Sequence, residues 1–223
     1  MKLTSKDSHH AIVDEVFEPD VFRSFWDYFN NLDFAYRSMT GWQKVWRISD
    51  GQILASAPNY HSQAPFNSPM DLLHQTVLGL AKQHLEEIVG KEGEDWKELF
   101  FTPYIYPAGT KISWHDDYGY TGACIFYPHQ EWGSNWGGEL MIARTPATSE
   151  IQADGTPPDM MTRKYIDPML NHYGMGVYVS PQPNRLVFTS GKVWHSINRV
   201  DQSAGDHVRC SVVGFFTKEK PTL

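Results

Sequence analysis

The sequence predicts a mostly β protein: a double-stranded β-helix (jelly-roll) core with α-helices flanking it on the N-terminal side. Three observations predict this fold. After Trp96 the apolar period is two, in the short runs LFFTPYIYP, GACIFYP, GELMIA, GVYVSP, RLVFTS, VWHSI and VRCSVVGFF, bounded by Gly, Pro, Asn and Asp. Before Trp96 the period is three to four, over two separate stretches. The chain has 223 residues, a size common for a single barrel domain, and 41% hydrophobic residues suffice for its core.

Residues 1–18 read as a polar leader and one short strand, AIVDEVF, with His9 and His10 as solvated tail residues. Beyond Pro19, the residues Phe22, Phe25, Trp26 and Phe29 recur at spacings of three and four. They place an apolar stripe, read as core packing, on a helix of about three turns. Residues 35–65 are irregular and rich in Trp, Tyr, Ser and Pro, with one or two strands around WQKVWRI and GQILASA. Ser68-Pro69-Met70-Asp71 is a helix start: a hydroxyl N-cap, proline at the first helical position, and an acid three residues after the cap. Met70, Leu73, Val77, Leu80, Ala81 and Ile88 continue its apolar face to a stop at Gly90. The expected organisation is one domain over residues 1–223. Within it, 1–98 is a helical support region, 99–217 the jelly-roll core, and 145–174, with DGTPPDMMTRKYIDP, a lid-like insertion.

A formal charge of −7 argues against a nucleic-acid partner, whose footprint is normally basic. No apolar run approaches the roughly 20 residues that span a bilayer, so no membrane partner is expected. The opening MKLTSKDSHH lacks the apolar stretch of a secretory signal. Cys124 and Cys210 both fall in strand-like runs and read as buried free thiols. Together these features place the expected location in the cytoplasm.

Chemistry concentrates in YPAGTKISWHDDYGYTGACIFYPHQEWGSNWGGEL, residues 106–140. His115 and Asp117, at i and i+2, point to the same side of an extended strand, while Asp116 faces away or holds a turn. A second histidine, His195, lies far downstream in SGKVWHSINRV. Two imidazoles and one carboxylate on a rigid sheet form the facial triad that suits non-haem Fe(II) and leaves coordination positions open. Two arginines follow. Arg209 begins an apolar strand in which Ser211, Val213 and Phe215 share its face, so its side chain points inward. Arg199 is nearer to His195 but sits in a turn-like stretch and reads as a surface charge. His74, His84, His129, His172 and His207 read as core or surface histidines, with a place beside the site or at its mouth as the alternative for His129 and His172.

The ordered set Tyr106-x-x-Gly109, His115-x-Asp117, the strand ACIFY ending at Tyr127, Gly137-Gly138-Glu139-Leu140, PNRLVF, His195 and Arg209-x-Ser211 resembles the Fe(II)/2-oxoglutarate-dependent dioxygenases. The resemblance covers roughly residues 102–216 and is strongest to the prolyl-4-hydroxylase-like branch. It implies that His115, Asp117 and His195 are the catalytic metal ligands. It implies further that Arg209 pairs with the distal carboxylate of 2-oxoglutarate, helped by Tyr127, with Tyr106 beside the cosubstrate and Ser211 adding a hydroxyl donor. Ile112 stands where several relatives have tyrosine, Pro128-His129 replaces their usual Leu-Asn, and the interval from His195 to Arg209 is longer than theirs.

The implied cofactors are Fe(II), 2-oxoglutarate as cosubstrate and O2, with ascorbate as a stimulant. The implied reaction hydroxylates an unactivated C–H bond of a small metabolite or amino acid while 2-oxoglutarate and O2 become succinate and CO2. The alternatives are a peptidyl prolyl hydroxylase, a non-catalytic metal-binding jelly-roll sensor, or a zinc hydrolase using the same ligands. Substrate identity, the choice among hydroxylation, desaturation and cyclisation, and oligomeric state are not legible in the residues.

Overall fold

The longest two-residue alternations in the sequence become the longest strands. In the computed structural model, which describes residues 1–37, 48–60, 68–117, 119–144, 170–172, 174 and 176–218, the elements follow in this order. Strands β1 (Lys2–Lys6) and β2 (His10–Asp14) precede helix α1 (Pro19–Asn30). Short strands β3 (Ala35–Tyr36), β4 (Leu54–Ala55) and β5 (Asn59–Tyr60) lead to α2 (Pro69–His84) and α3 (Glu86–Val89). The remainder is β6 (Glu98–Tyr106), β7 (Ile112–His115), β8 (Gly122–Phe126), β9 (Leu140–Ile142), β10 (Val177–Val179), β11 (Leu186–Ser190), β12 (His195–Ile197) and β13 (Arg209–Thr217).

The described strands form two antiparallel sheets. The larger runs β1-β2-β11-β8-β13-β6-β4-β3, with β5 also on β6, and the smaller runs β10-β9-β12-β7. This is the mostly β, two-sheet jelly roll that the period-two runs predict. Strands β13 and β6 pair over nine residues, from Arg209↔Tyr106 to Thr217↔Glu98. Alternation then sorts their side chains into two layers. Phe101, Cys124, Phe126, Phe188, Cys210, Val212 and Phe216 face outward and pack with Phe22, Phe25 and Phe29 of α1 and Leu73 and Val77 of α2. Tyr104, Tyr106, Ile125, Tyr127 and Val187 face inward against Ile112, Leu140, Ile142 and Ile197 of the smaller sheet. The helices thus cover one face of the larger sheet, leaving its other face to the interior between the sheets. Cys124 and Cys210 are buried and free, as expected of core thiols.

Ser68 and Asp71 form the expected capping box, with the Ser68 hydroxyl accepting from the Asp71 backbone N–H at 3.2 Å and the Asp71 carboxylate accepting from that of Ser68 at 3.0 Å. The helix does not continue unbroken to residue 88. Leu85, at φ −131° and ψ 17°, interrupts it, and α3 follows directly. The break seats Val89 on Gly122 of β8, where an added Cβ would lie only 2.8 Å from the Val89 backbone. A second correction concerns the N-terminus. The polar leader is strand β1, its Lys2 paired with Asp14, and His10 is buried in β2 with its ring 3.0 Å from the Asp7 carboxylate. Asp7 also accepts both the His9 and His10 backbone N–H groups, closing the turn between β1 and β2. Of the two expected strands in 35–65, GQILASA contains β4, whereas WQKVWR lies outside the described residues. Nearly all of the 145–174 insertion lies outside them too.

Candidate metal centre and cosubstrate pocket

Strands β7 and β12 pair so that His115 and His195 stand directly opposite each other, with their ring centroids 4.3 Å apart. A bulge between this pair and Ile112↔Ile197 puts an extra residue on β7. Each imidazole is oriented by its own strand: His115 Nδ1 donates to the Ser113 carbonyl at 2.7 Å and His195 Nδ1 to that of Val193 at 3.0 Å. That fixes the Nδ1–H tautomer and leaves both Nε2 lone pairs aimed at the same place. The Asp117 carboxylate meets them there, Oδ1 at 3.8 Å from His115 Nε2 and Oδ2 at 3.5 Å from His195 Nε2.

The three candidate ligand atoms lie within 4.8 Å of one another, in a largely buried setting. Atoms bound at right angles to one ion at the usual 2.0–2.2 Å are separated by about 3 Å, so modest inward movement suffices to hold a metal. Burial, reinforced by His195, holds the His115 imidazole well below its ordinary range, so it is neutral and able to ligate. Burial also raises the Asp117 carboxyl, opposed by His195 and assisted by the nearby Asp116.

Simple strand alternation is not what delivers Asp117. Strand β7 ends at His115, and Asp117 opens the following turn, its carbonyl accepting from the Tyr120 backbone N–H at 2.9 Å. Asp116 is buried, at 2% exposure.

The second group of predicted residues converges on Arg209, which is fully buried. Its Nε donates to the Gly138 carbonyl at 2.7 Å, and its terminal nitrogens stand 3.4 Å from Ser211 Oγ and 3.3 Å from the Tyr127 hydroxyl. The guanidinium carbon lies 4.8 Å from the Tyr106 ring centre and 5.0 Å from that of Tyr127. Gly138, at φ +72°, makes this possible: a Cβ there would sit 2.8 Å from Arg209 Cδ and 3.3 Å from Trp132 Cζ2. Arg199, by contrast, is exposed and donates to the carbonyls of Gly109 and Ser49. It ties together surface loops rather than entering the interior.

Between the sheets lies a cavity of about 320 Å³ that includes His115, Asp117, His195 and Tyr106 in its wall. Tyr106 therefore borders both the triad and Arg209. Phe100, Thr102, Tyr104 and Tyr106, the alternate residues of β6, form one wall, and Val213 and Phe215 of β13 extend it.

Arg37, Tyr104 and Asp50 belong to this site and were not singled out in the sequence. Arg37 and Tyr104 both reach the cavity. The buried Asp50 carboxylate accepts from Ser113 Oγ at 2.7 Å and from its backbone N–H at 3.2 Å, bracing the strand that carries His115. His129 is buried behind Arg209, its Nε2–H donating to the Pro181 carbonyl at 2.6 Å and its Nδ1 accepting from the Cys210 N–H at 3.3 Å. Of Arg37, Tyr104 and Asp50, only Tyr104 carried a usable signal, since it shares the alternation of Tyr106.

No curated protein matches the chain. Among solved structures, a Pseudomonas putida prolyl-4-hydroxylase shares 16% identity, with a TM-score of 0.57 over 95% of this chain and 93% of that one. A Trichoplax adhaerens prolyl hydroxylase, in complex with a hypoxia inducible factor oxygen degradation domain peptide, shares 12% identity, with a TM-score of 0.59 over 95% and 84%. The epimerase SnoN, in complex with Fe3+, alpha ketoglutarate and nogalamycin RO, shares 10% identity, with a TM-score of 0.56 over 94% and 79%. At these identities the likeness is one of fold. A family model for the 2OG-Fe(II) oxygenase superfamily matches residues 101–217, which takes in the H-x-D turn, the distal histidine and Arg209, and by that match the chain belongs to the 2OG-Fe(II) oxygenase superfamily.

Proposed function

We propose that this oxygenase hydroxylates an unactivated C–H bond of a small metabolite or amino acid, with His115, Asp117 and His195 holding Fe(II) and Arg209 holding the distal carboxylate of 2-oxoglutarate. The observation that carries the reading is Arg209 itself. It is a fully buried cation for which the described residues provide only neutral partners: a carbonyl, a hydroxyl and a phenol. Burying a charge is costly unless an opposite charge joins it, and the planar guanidinium fork matches a carboxylate. Iron with the ketoacid and O2 supplies the oxidising chemistry, yielding succinate and CO2.

The protein's own groups do the positioning. Ser113 and Val193 carbonyls hold the imidazoles, the Gly138 carbonyl holds the Arg209 stem, and Tyr127 and Ser211 stand ready to share the carboxylate. Apolar walls at Ile112, Ile125, Leu140 and Ile197 restrict water. The chain is proposed to act as one domain, because α1 and α2 share a continuous core with the outward face of the larger sheet. The cavity is of a size that holds a small substrate.

The test is release of succinate from 2-oxoglutarate in the presence of Fe(II) and ascorbate, with and without candidate amino acids. Release that is abolished in Asp117→Ala and Arg209→Gln supports the reading. Metal uptake without any turnover of 2-oxoglutarate, with every candidate tried, would point instead to a non-catalytic metal-binding domain.

A further inference from the structure

Among the described residues lining the cavity, Arg37 is the one lysine or arginine, and the mechanism above leaves it without a task. It follows β3 at the edge of the larger sheet, with its backbone N–H bonded to the Ile53 carbonyl at 3.0 Å. Its guanidinium carbon stands 6.0 Å from the centre of the Tyr104 ring, and the Tyr104 hydroxyl interacts with both Arg37 and Thr102. The order β13-β6-β4-β3 puts Arg37 three strands away from Arg209. At the usual 4.7–4.9 Å per strand, that is a backbone separation of about 14 Å. Arg209 stands by the rings of Tyr106 and Tyr127 and Arg37 by that of Tyr104, so the two cations occupy different parts of the site.

The neighbouring wall is apolar and aromatic. Tyr120 and Phe215 have ring centres 4.5 Å apart, Phe100 and Phe215 5.5 Å, and Phe100 and Tyr120 6.1 Å. All three rings border the same cavity as the triad. A cation with two hydroxyl donors at one position, and a ring cluster at another, define a ligand with an anionic head and an apolar body.

We propose that Arg37, Tyr104 and Thr102 form a carboxylate-binding subsite for the substrate, whose apolar body lies against Phe100, Tyr120 and Phe215. This deepens the proposed function and rests on it: the substrate class is a small apolar carboxylic acid, and the reacting carbon is presented to the triad by anchoring the acid at Arg37. Arg37 is a specificity-determining residue here.

The experiment uses the full chain loaded with Mn(II) and 2-oxoglutarate without O2, and measures binding calorimetrically. Probes are matched pairs: 3-phenylpropionate with 3-phenylpropionamide, and 4-methylpentanoate with 4-methylpentanamide. Each acid is expected to bind the wild type roughly tenfold or more tighter than its amide, the usual worth of a hydrogen-bonded charge. Arg37→Gln is expected to erase that preference while the affinity for 2-oxoglutarate is retained, and Arg37→Lys to restore part of it. No acid preference in the wild type, or a preference that survives in R37Q, overturns the subsite. So does loss of 2-oxoglutarate binding in R37Q, which would place Arg37 in the cosubstrate pocket. If the wild type takes up neither Mn(II) nor 2-oxoglutarate, the oxygenase reading fails instead, and the same acid–amide comparison on the metal-free protein decides Arg37 separately.

Discussion

Replacing Arg209 with glutamine removes the one feature of the pocket that a neutral side chain cannot imitate. The guanidinium is buried against the Gly138 carbonyl, Ser211 Oγ and the Tyr127 hydroxyl, at 2.7, 3.4 and 3.3 Å. Glutamine can replace part of that hydrogen bonding, and it relieves a buried charge whose partners among the described residues are neutral, so stability measured without added 2-oxoglutarate should change little. The consequence for 2-oxoglutarate is different. Truncating one partner of a buried charge pair costs about 2–5 kcal/mol, which is roughly 30-fold to several-thousand-fold in affinity.

A thermal-shift titration reads both effects at once. Ligand present at 100 times its dissociation constant stabilises the folded state by about 2.7 kcal/mol, and R209Q should lose most of that rise at the same concentration. Arg199→Gln is the control. It removes surface ties to Gly109 and Ser49 and should keep the full 2-oxoglutarate-dependent rise, even if the baseline melting temperature drops. Equal losses in the two variants, or a loss confined to R199Q, would refute the assignment of Arg209.

Three further outcomes follow from the same geometry. Asp117→Ala should lower Mn(II) or Fe(II) affinity by more than the roughly 10–100-fold that loss of a supporting residue costs, while Asp116→Asn should stay within that range and lose some stability, being buried; equilibrium dialysis giving the reverse order would reassign the ligand. Gly138→Ala should weaken 2-oxoglutarate binding on the order of tenfold with metal binding intact, because a Cβ at φ +72° costs about 1–2 kcal/mol and presses on Arg209 Cδ; an unchanged calorimetric dissociation constant would show that Arg209 is not held there. Burial holds the His129 imidazole down to about 4, so the unfolded chain takes up its proton first as pH falls, and the neutral ring's contribution is complete above about pH 6.5 and lost by about pH 4. This corresponds to about 3 kcal/mol, and urea midpoints of His129→Gln should fall less steeply than wild type across that window; parallel slopes would remove His129 from the account.

Much of this protein was legible in order along the chain, because alternation and capping are local. The runs after Trp96 became strands β6 and β8–β13, the Phe stripe after Pro19 became α1, and Ser68 to Asp71 became a capping box. The same alternation placed Arg209, Ser211 and Val213 on one face of β13, and a histidine and an aspartate two apart suggested a metal site before any neighbour was known.

What only the tertiary structure decided is which of these local faces meet. His115 and His195 are 80 positions apart and become opposite members of one strand pair through the sheet order and a bulge, neither of which leaves a mark in local periodicity. Asp117 joins them through a turn past the strand end, so strand alternation alone does not account for its place beside the two histidines. The burial of His10 depends on a β1–β2 hairpin seated on β11, and the break at Leu85 on the fit of Val89 over Gly122. Arg37 reaches the cavity because β3 and β4 are added to the edge of β6. Each of these is a contact between distant segments, and the free energy that selects it comes from packing that no short window of sequence contains.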